Sequence, residues 1–338
     1  MKLYCGIDLH SNNHYVSIID HDDNRLKEKR ISNDLSKTLA LLAPYKNDLQ
    51  GIAIESTFNW YWLVDGLMDA DYSVSLVNTC AVKQYEGLKH TDDQYDAFWL
   101  AHLMRLGILP TGYIYPKQQR SLRDLLRKRM QLVQCRTSHV ISAQAQVWRS
   151  TGTRLRSQDI KKCSDDLLSE ITDQNLFLSI QSNLNVIQLL NTEIDAIEKT
   201  ILSQCKDLPE YKQLKTVFGI GDILSQTITL ETGDIHRFHK VGNYTSYCRC
   251  VDSKKTSNGK KKGVGNKKSG NKYLAWAFME AANFAIRFHE PANRFYQRKQ
   301  SKRNVIVARK ALAHKLARAS YYVMRDNRPF KPERLFQL

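Results

Sequence analysis

Five strand-like runs within the first 77 residues, at 3–8, 14–20, 25–31, 51–54 and 72–77, alternate with turn and helix signals. That rhythm constrains the fold more than any other feature. A chain that switches so often between a two-residue and a 3.6-residue period builds a sheet with helices laid on it. Asp22, Asp23 and Asn24 mark the turn between the second and third runs. Ser32 and Asp34 can cap a helix over 35–42, which Pro44 ends. An aromatic-rich helix is predicted over 59–68. Another over 93–106 shows an apolar face of Ala97, Leu100, Ala101 and Met104.

Three hairpin-type strands, then helix, strand, helix, strand and helix, is the order of a ribonuclease-H-like (RuvC-like) domain, assigned to 1–112. Residues 113–205 change character and read as a long helical arm. A helix over 121–148 is followed, after a break at 151–165, by a second one. Its Ile187, Leu190, Ile194, Ile197 and Ile201 fall at coiled-coil spacing over about two heptads. The same spacing fits a helical hairpin inside a bundle or a dimer contact. Residues 206–338 form a mainly helical third part. There 214–230 is broken at Gly219-Ile220-Gly221, a helix-hairpin-helix pattern whose backbone N–H groups can meet a phosphate. An ordinary tight helix turn fits the same residues. The expected fold class is thus α/β plus α. Helices are expected over 273–288 and 304–324.

Charge is distributed unevenly along these parts. Residues 1–112 carry 10 basic and 15 acidic side chains, 113–250 carry 19 and 14, and 251–338 carry 22 and 5. The last segment's +17 equals the whole chain's excess, and such a field selects polyanionic partners. Seven cysteines, odd in number and mostly scattered, fit a reducing cytosol. Cys248 and Cys250 alone make a poor zinc site. No run of about 18 apolar residues suggests a membrane span.

Two groups of residues can carry chemistry. Asp8 ends the first run and Glu55 follows the fourth, and these strands are neighbours in a ribonuclease-H-like sheet. Asp93 and Asp96 open the last helix of that domain on one face. Four converging carboxylates call for hard divalent cations, which serve phosphoryl transfer. Acids at strand ends and helix starts are common, however, and Asp92 competes with Asp93 on spacing. The second group is the tract 252–272. Its Lys254, Lys255, Lys260, Lys261, Lys262, Lys267, Lys268 and Lys272 are interspersed with four glycines that permit close approach to phosphates. The basic helix after it, with Lys315 and Arg318, favours nucleic acid over a merely solvated loop. Ser253, Ser257 and Ser269 lie in the tract, but a serine needs activation to act as a nucleophile. His10 and His14 read as ordinary surface or site-edge residues.

The segments GIDLH, GIAIEST, KHTDDQYDAFWLAHLMRLG and SNGKKKGVGNKKSGNKYLAWAFMEAA together resemble the DEDD-type transposases of bacterial insertion sequences, the recombinases guided by a bridge or seeker RNA. The resemblance spans the chain in order. It implies Asp8, Glu55, Asp93 and Asp96 as the four acids, the last two through the D-x-x-D-A pattern, with Mg2+ or Mn2+ between them. It implies a catalytic serine before a Gly and basic stretch, for which Ser257 fits best and Ser253 is the reserve. The family's hairpin motif matches Phe218-Gly219-Ile220-Gly221. Implied partners are donor and target DNA, a noncoding guide RNA and further copies of the chain as a dimer or tetramer, in the bacterial cytoplasm and without a membrane. A metal-dependent nuclease cutting branched DNA and a non-enzymatic RNA-binding scaffold are the competing readings.

Overall fold

In the computed structural model, which describes residues 1–82, 92–162, 171–251, 255–263 and 269–335, the five runs pair into one sheet. The strands are β1 (Leu3–Leu9), β2 (Asn13–Ile19), β3 (Arg25–Ser32), β4 (Leu49–Glu55) and β5 (Val74–Val77). Their order is β3-β2-β1-β4-β5. The β1–β2 and β2–β3 pairs are antiparallel, and the β1–β4 and β4–β5 pairs are parallel. The helices of this part are α1 (Leu35–Leu42), α2 (Tyr61–Asp69), α3 (Thr79–Val82) and α4 (Asp93–Arg105).

Side-chain alternation assigns each face its cover. Cys5, Ile7 and Leu9 of β1 join Val16, Ile18, Ile52 and Ile54 on one face, packed on Leu42 of α1 and Leu63 and Leu67 of α2. The opposite face is built from small residues. A Cβ on Gly6 would stand 1.9 Å from the Ala97 carbonyl oxygen, and one on Gly51 would meet Met104 Sδ at 3.1 Å. Backbone-to-backbone approach therefore seats α4 directly on β1, and Ala53, Val77, Leu100 and Leu103 complete that layer.

Polar contacts fix α4 along its length. Asp92 caps its N-terminus, accepting from the Tyr95 N–H at 2.8 Å. Near the C-terminus, Arg105 donates in a fork to Asp23, with Nε and Nη2 each at 2.6 Å. Asp23 has φ 66° in the β2–β3 turn, and Asp20 holds that turn by accepting from the Asp22 and Asn24 N–H groups. The sequence pointed to Asp22, Asp23 and Asn24 for this turn, whereas the accepting carboxylate is the buried Asp20. Helix α2 starts at Tyr61, later than expected, since Asn59 donates to the His10 carbonyl and holds the preceding residues in a turn.

The chain divides into two compact units, Met1–Lys117 and Gln118–Leu338. The second is mostly helical: α5 (Lys117–Thr151), α6 (Ser157–Lys162), α7 (Gln174–Cys205), α8 (Pro209–Leu214), α9 (Asp222–Thr232), α10 (Val241–Tyr247), α11 (Lys272–Phe288), α12 (Glu290–Gln300) and α13 (Val305–Asp326). Helices α5 and α7 form an antiparallel hairpin. Val140, Ala143 and Val147 pack on Ile180, Leu184 and Ile187, while Leu126 packs on Ile201 and Cys205. Of the expected seam, Ile187, Ile194 and Ile201 are buried, and Leu190 and Ile197 are half-buried. At Ile187 and Ile201 the seam is covered by this chain's own α5. Polar rungs, Arg129–Glu198 and Arg136–Asn191, fix its register.

The core that follows gathers Leu224, Ile228, Tyr244, Phe278, Leu312 and Leu316 from α9, α10, α11 and α13. Gly219, at φ 78°, packs so closely on α11 that a Cβ would stand 2.1 Å from the Ala281 carbonyl oxygen. That glycine thus has an internal packing reason to be there. Gly221, by contrast, is open and sits at the α9 N-cap. The basic tract holds a hairpin of β6 (Lys255–Ser257) and β7 (Lys260–Gly263). Asn258 and Gly259 turn it with φ of 48° and 70°, the double-positive pattern for which Asn-Gly is the preferred pair.

Candidate active site

The acidic cluster is assembled by the small-residue face of the sheet. On β1, Asp8 shares that face with Gly6. On β4, Glu55 shares it with Gly51 and Ala53. Because α4 lies so close over Gly6, its first turn carries Asp93 and Asp96 to the same sheet end. Asp8 is 3 % exposed, whereas Glu55 and Asp93 are half-buried and Asp96 is exposed. Burial is the largest influence on the Asp8 carboxyl. A hydrogen bond with Glu55 and the negative charges of Glu55, Asp96 and Asp93 add to it, and together they push it up to about 8. The other three sequence-derived acids therefore all act electrostatically on Asp8. Asp92 spends a carboxylate oxygen on the Tyr95 N–H, so the cap and the cluster are served by adjacent residues.

Two further side chains enter the cluster. His10 Nε2 lies 3.0 Å from Asp8 Oδ2 and 3.2 Å from Asp93 Oδ1. The His10–Asp8 contact is one of charge and distance, for both atoms are buried without an aligned hydrogen-bond partner. Arg30 Nη2 donates to Asp93 Oδ2 at 2.6 Å. Sequence reading set His10 aside, although Asp8-Leu9-His10 places acid and imidazole two residues apart, on one face of an extended chain. Arg30 carried no sequence signal. It reaches the site through register: Asp8 is opposite Tyr15, and Tyr15 is opposite Arg30. His14 is fully buried, not at the surface. Its ring nitrogens meet Asn33 Oδ1 and Thr38 Oγ1, each at 3.0 Å.

Asp8, His10 and Asp93 each bring one potential ligand atom within 4.8 Å of the others. A hard divalent cation fits this donor set: carboxylate oxygens predominate, and Asp8 Oδ2 is a buried acceptor that no N–H or O–H satisfies. Glu55 and Asp96 are the remaining carboxylates within influence of Asp8.

In the second unit, Ser257 is exposed at the hairpin tip, directly before the Asn258-Gly259 turn. It pairs with Lys260 across the ladder, which puts both side chains on one face, and Lys262 is the exposed extra residue where the register shifts. The backbones of Lys255 and Lys261 belong to the same hairpin. Lys254, Lys267, Lys268 and the reserve Ser253 lie outside the described residues. Lys272 opens α11 and sits 5.0 Å from the Tyr273 ring. At the base of the tract, Arg249 donates to the Gly270 carbonyl, Nη2 at 2.8 Å. The next residue, Asn271, caps α11 and donates to the buried Glu231, which Arg127 of α5 grips with Nε at 2.6 Å and Nη2 at 2.8 Å. Near Gly219 and Gly221, Asp222 pairs with Lys215 at 2.6 Å at the start of α9.

No helix among the described residues is long and apolar enough to cross a membrane. No curated protein matches the chain. Two family models match it in succession. The IS110 DEDD transposase model, described as "Transposase", covers residues 5–165 and so includes all four acids. A second, described as "Transposase IS116/IS110/IS902 family", covers residues 211–297, including Ser257 and the lysine tract. Carrying both of these domains in order supports the chain as an insertion-sequence transposase of the IS110/IS116 family, an enzyme of DNA recombination.

Proposed function

We propose that the chain is an RNA-guided recombinase that cuts and rejoins DNA through a phosphoserine, using a ribonuclease-H-like acidic site and Ser257. The observation that carries this reading is the convergence of Glu55, Asp93 and Asp96 on Asp8, whose carboxyl burial first of all, and then these neighbours, push up to about 8. A site that costly without a cation is a site built to hold one. Asp8, Glu55, Asp93 and Asp96, with His10 alongside, would hold Mg2+, or Mn2+ in its place. When bound, the ion supplies charge neutralisation and Lewis-acid polarisation at a scissile phosphate.

The chain's own residues do the rest. Arg30 compensates Asp93 while the acids are unligated. Lys260, cross-strand from Ser257, draws a phosphate to the hairpin tip. Ser257 Oγ attacks phosphorus and loses its proton to solvent. The phosphorus–O3′ bond breaks, and the departing oxygen takes up a proton as a free 3′-OH. One phosphodiester is exchanged for another, so a 3′-OH from a second strand reverses the step without net hydrolysis. The lysines of the tract, from Lys254 to Lys272, and the open N-terminus of α9 at Gly221 serve backbone contact in a helix-hairpin-helix manner. Sequence choice falls to the paired RNA. Strand exchange requires several sites, hence several copies of the chain.

The test uses full-length protein with a nicked suicide DNA, the element's noncoding RNA and Mg2+. A denaturing gel reads the protein–DNA adduct. The adduct is expected with the unaltered chain and absent in Ser257→Ala and Asp8→Ala. Persistence of the adduct in Ser257→Ala overturns the serine. Metal-dependent cutting that Ser257→Ala leaves intact identifies hydrolysis by a nuclease instead.

A further inference from the structure

The C-terminal helices enclose a groove that the acidic site and the serine hairpin do not use. Its floor is α12 and α13, and its opposite wall is the tail after α13. Asn327, in the left-handed region at φ 44°, ends α13 and turns the chain back. The tail is then pinned at two places. The Phe330 N–H donates to Thr216 Oγ1 at 2.8 Å, and Lys315 Nζ donates to the Leu335 carbonyl at 2.7 Å. Between these pins lies a cavity of about 760 Å3, within the range of ligand clefts.

The charged part of the lining is almost entirely cationic. Among the described residues Lys299, Lys315, Arg318, Arg325, Arg328 and Lys331 face a single carboxylate, Asp326, and Arg325 already engages it at 2.7 Å, while Phe295, Ala311, Ala319, Val323 and Phe330 supply apolar surface between them. Burial, then the crowding of Arg318, Lys299 and Arg298, pushes the Lys315 ammonium down. Burial, with Arg318 and Lys315 added, does the same to His314. Positive charge collected in a concave site without matching acids calls for an anionic occupant. Aromatic faces are set among the charges. Lys315 and Lys299 stand 5.2 Å and 5.8 Å from the Phe295 ring. Tyr322 keeps 40 % of its surface exposed beside Arg325, whose guanidinium lies 4.9 Å from the ring. Arg318 and Tyr322, one helical turn apart on α13, put a phosphate-binding cation next to a stacking face.

We propose that this groove binds an unpaired nucleic-acid strand, its phosphodiester held by Arg318 and Lys299 and a base laid on Tyr322. Alternating charge and ring is how single strands are gripped, since stacking needs a base released from its partner. A duplex presents phosphates but no free base face. The inference rests on the chain being a nucleic-acid enzyme, yet it concerns neither the acids nor Ser257. A strand of RNA and a strand of DNA share this chemistry.

The experiment measures fluorescence anisotropy of full-length protein with labelled 12-nucleotide oligo(U), oligo(dT) and a 12-base-pair duplex. Tyr322→Ala is expected to weaken single-strand binding about tenfold, the size of one lost base stack. The double variant Lys299→Glu/Arg318→Glu should weaken it further and flatten the salt dependence by roughly 0.7 per lost phosphate contact. Duplex binding should stay within about twofold in Tyr322→Ala, a margin well below one stacking contact. Oligo(U) against oligo(dT) tells which strand is preferred. A photocrosslink from 4-thiouridine oligo(U) should map to the peptide holding Tyr322. Unchanged single-strand affinity in both variants, or an equal loss for duplex in Tyr322→Ala, overturns the proposal. The Ser257 adduct assay fails or succeeds independently of this result.

Discussion

Replacing Asp8 by asparagine isolates the cost of the acidic site. In the unfolded chain this carboxyl ionises near 3.8, whereas in the folded protein it is pushed up to about 8. Between those values the folded state holds a proton that the unfolded state has released. The proton's contribution to stability is therefore complete below about pH 4 and is lost as pH rises through 8. From pH 4 to pH 7, three pH units at about 1.4 kcal/mol each correspond to roughly 4 kcal/mol at most. Asparagine has nearly the shape of the neutral acid and carries no charge to neutralise. Asp8→Asn should therefore stabilise the metal-free protein at pH 7 by up to that amount and by little at pH 4. Urea unfolding read by tryptophan fluorescence measures this, since Trp60, Trp62 and Trp99 lie in the first unit. Mg2+ should stabilise the unaltered protein in proportion to RT ln(1 + [Mg2+]/Kd) and leave the variant unmoved. An Asp8→Asn protein that is less stable at pH 7, or that gains as much from Mg2+ as the parent, would mean that Asp8 bears no such cost and holds no cation.

Other expectations follow from single contacts. Gly6→Ala must push α4 away from β1, because the added methyl would lie 1.9 Å from the Ala97 oxygen; a loss of about 1–3 kcal/mol in urea unfolding is expected, with adduct formation falling more than the folded fraction. Arg127→Met strips the buried Glu231 of its cation and should cost about 3–5 kcal/mol, of which Arg127→Met/Glu231→Gln recovers most in a thermal melt. Gly259→Val places a β-branched residue at φ 70°; it should abolish the adduct while the thermal midpoint of the second unit moves by less than about 2 °C, since the hairpin is exposed. Arg30→Ala removes the cation on Asp93 and should raise the Mg2+ dependence of stability, measured by the same urea titration.

The acids were legible because strand ends and a D-x-x-D helix start are local patterns. The small-residue face that brings them together was less so. Gly6 and Gly51 look like ordinary glycines until α4 is seen to lie on them. The Asn258-Gly259 turn was written in the tract, but the density of lysines around it points to nucleic acid and says nothing of a hairpin. His10 was passed over because a lone histidine near a turn carries no ligand spacing along the chain. Its partner Asp93 is 83 residues away.

Element order and the charge gradient from acidic start to basic end could be read along the chain, as could the acids and the serine proposed above for phosphoryl transfer. These follow from periodicity, composition and short motifs, all properties of neighbours along the chain. Tertiary structure decided what depends on distance across it. Strand register brought Arg30 to Asp93, and close packing of α4 over Gly6 brought Asp93 and Asp96 within electrostatic influence of Asp8. A left-handed Asn327 folded a basic tail back into a groove. Electrostatic energy and enclosure depend on separations in space, and a linear pattern specifies those only once the chain has closed on itself.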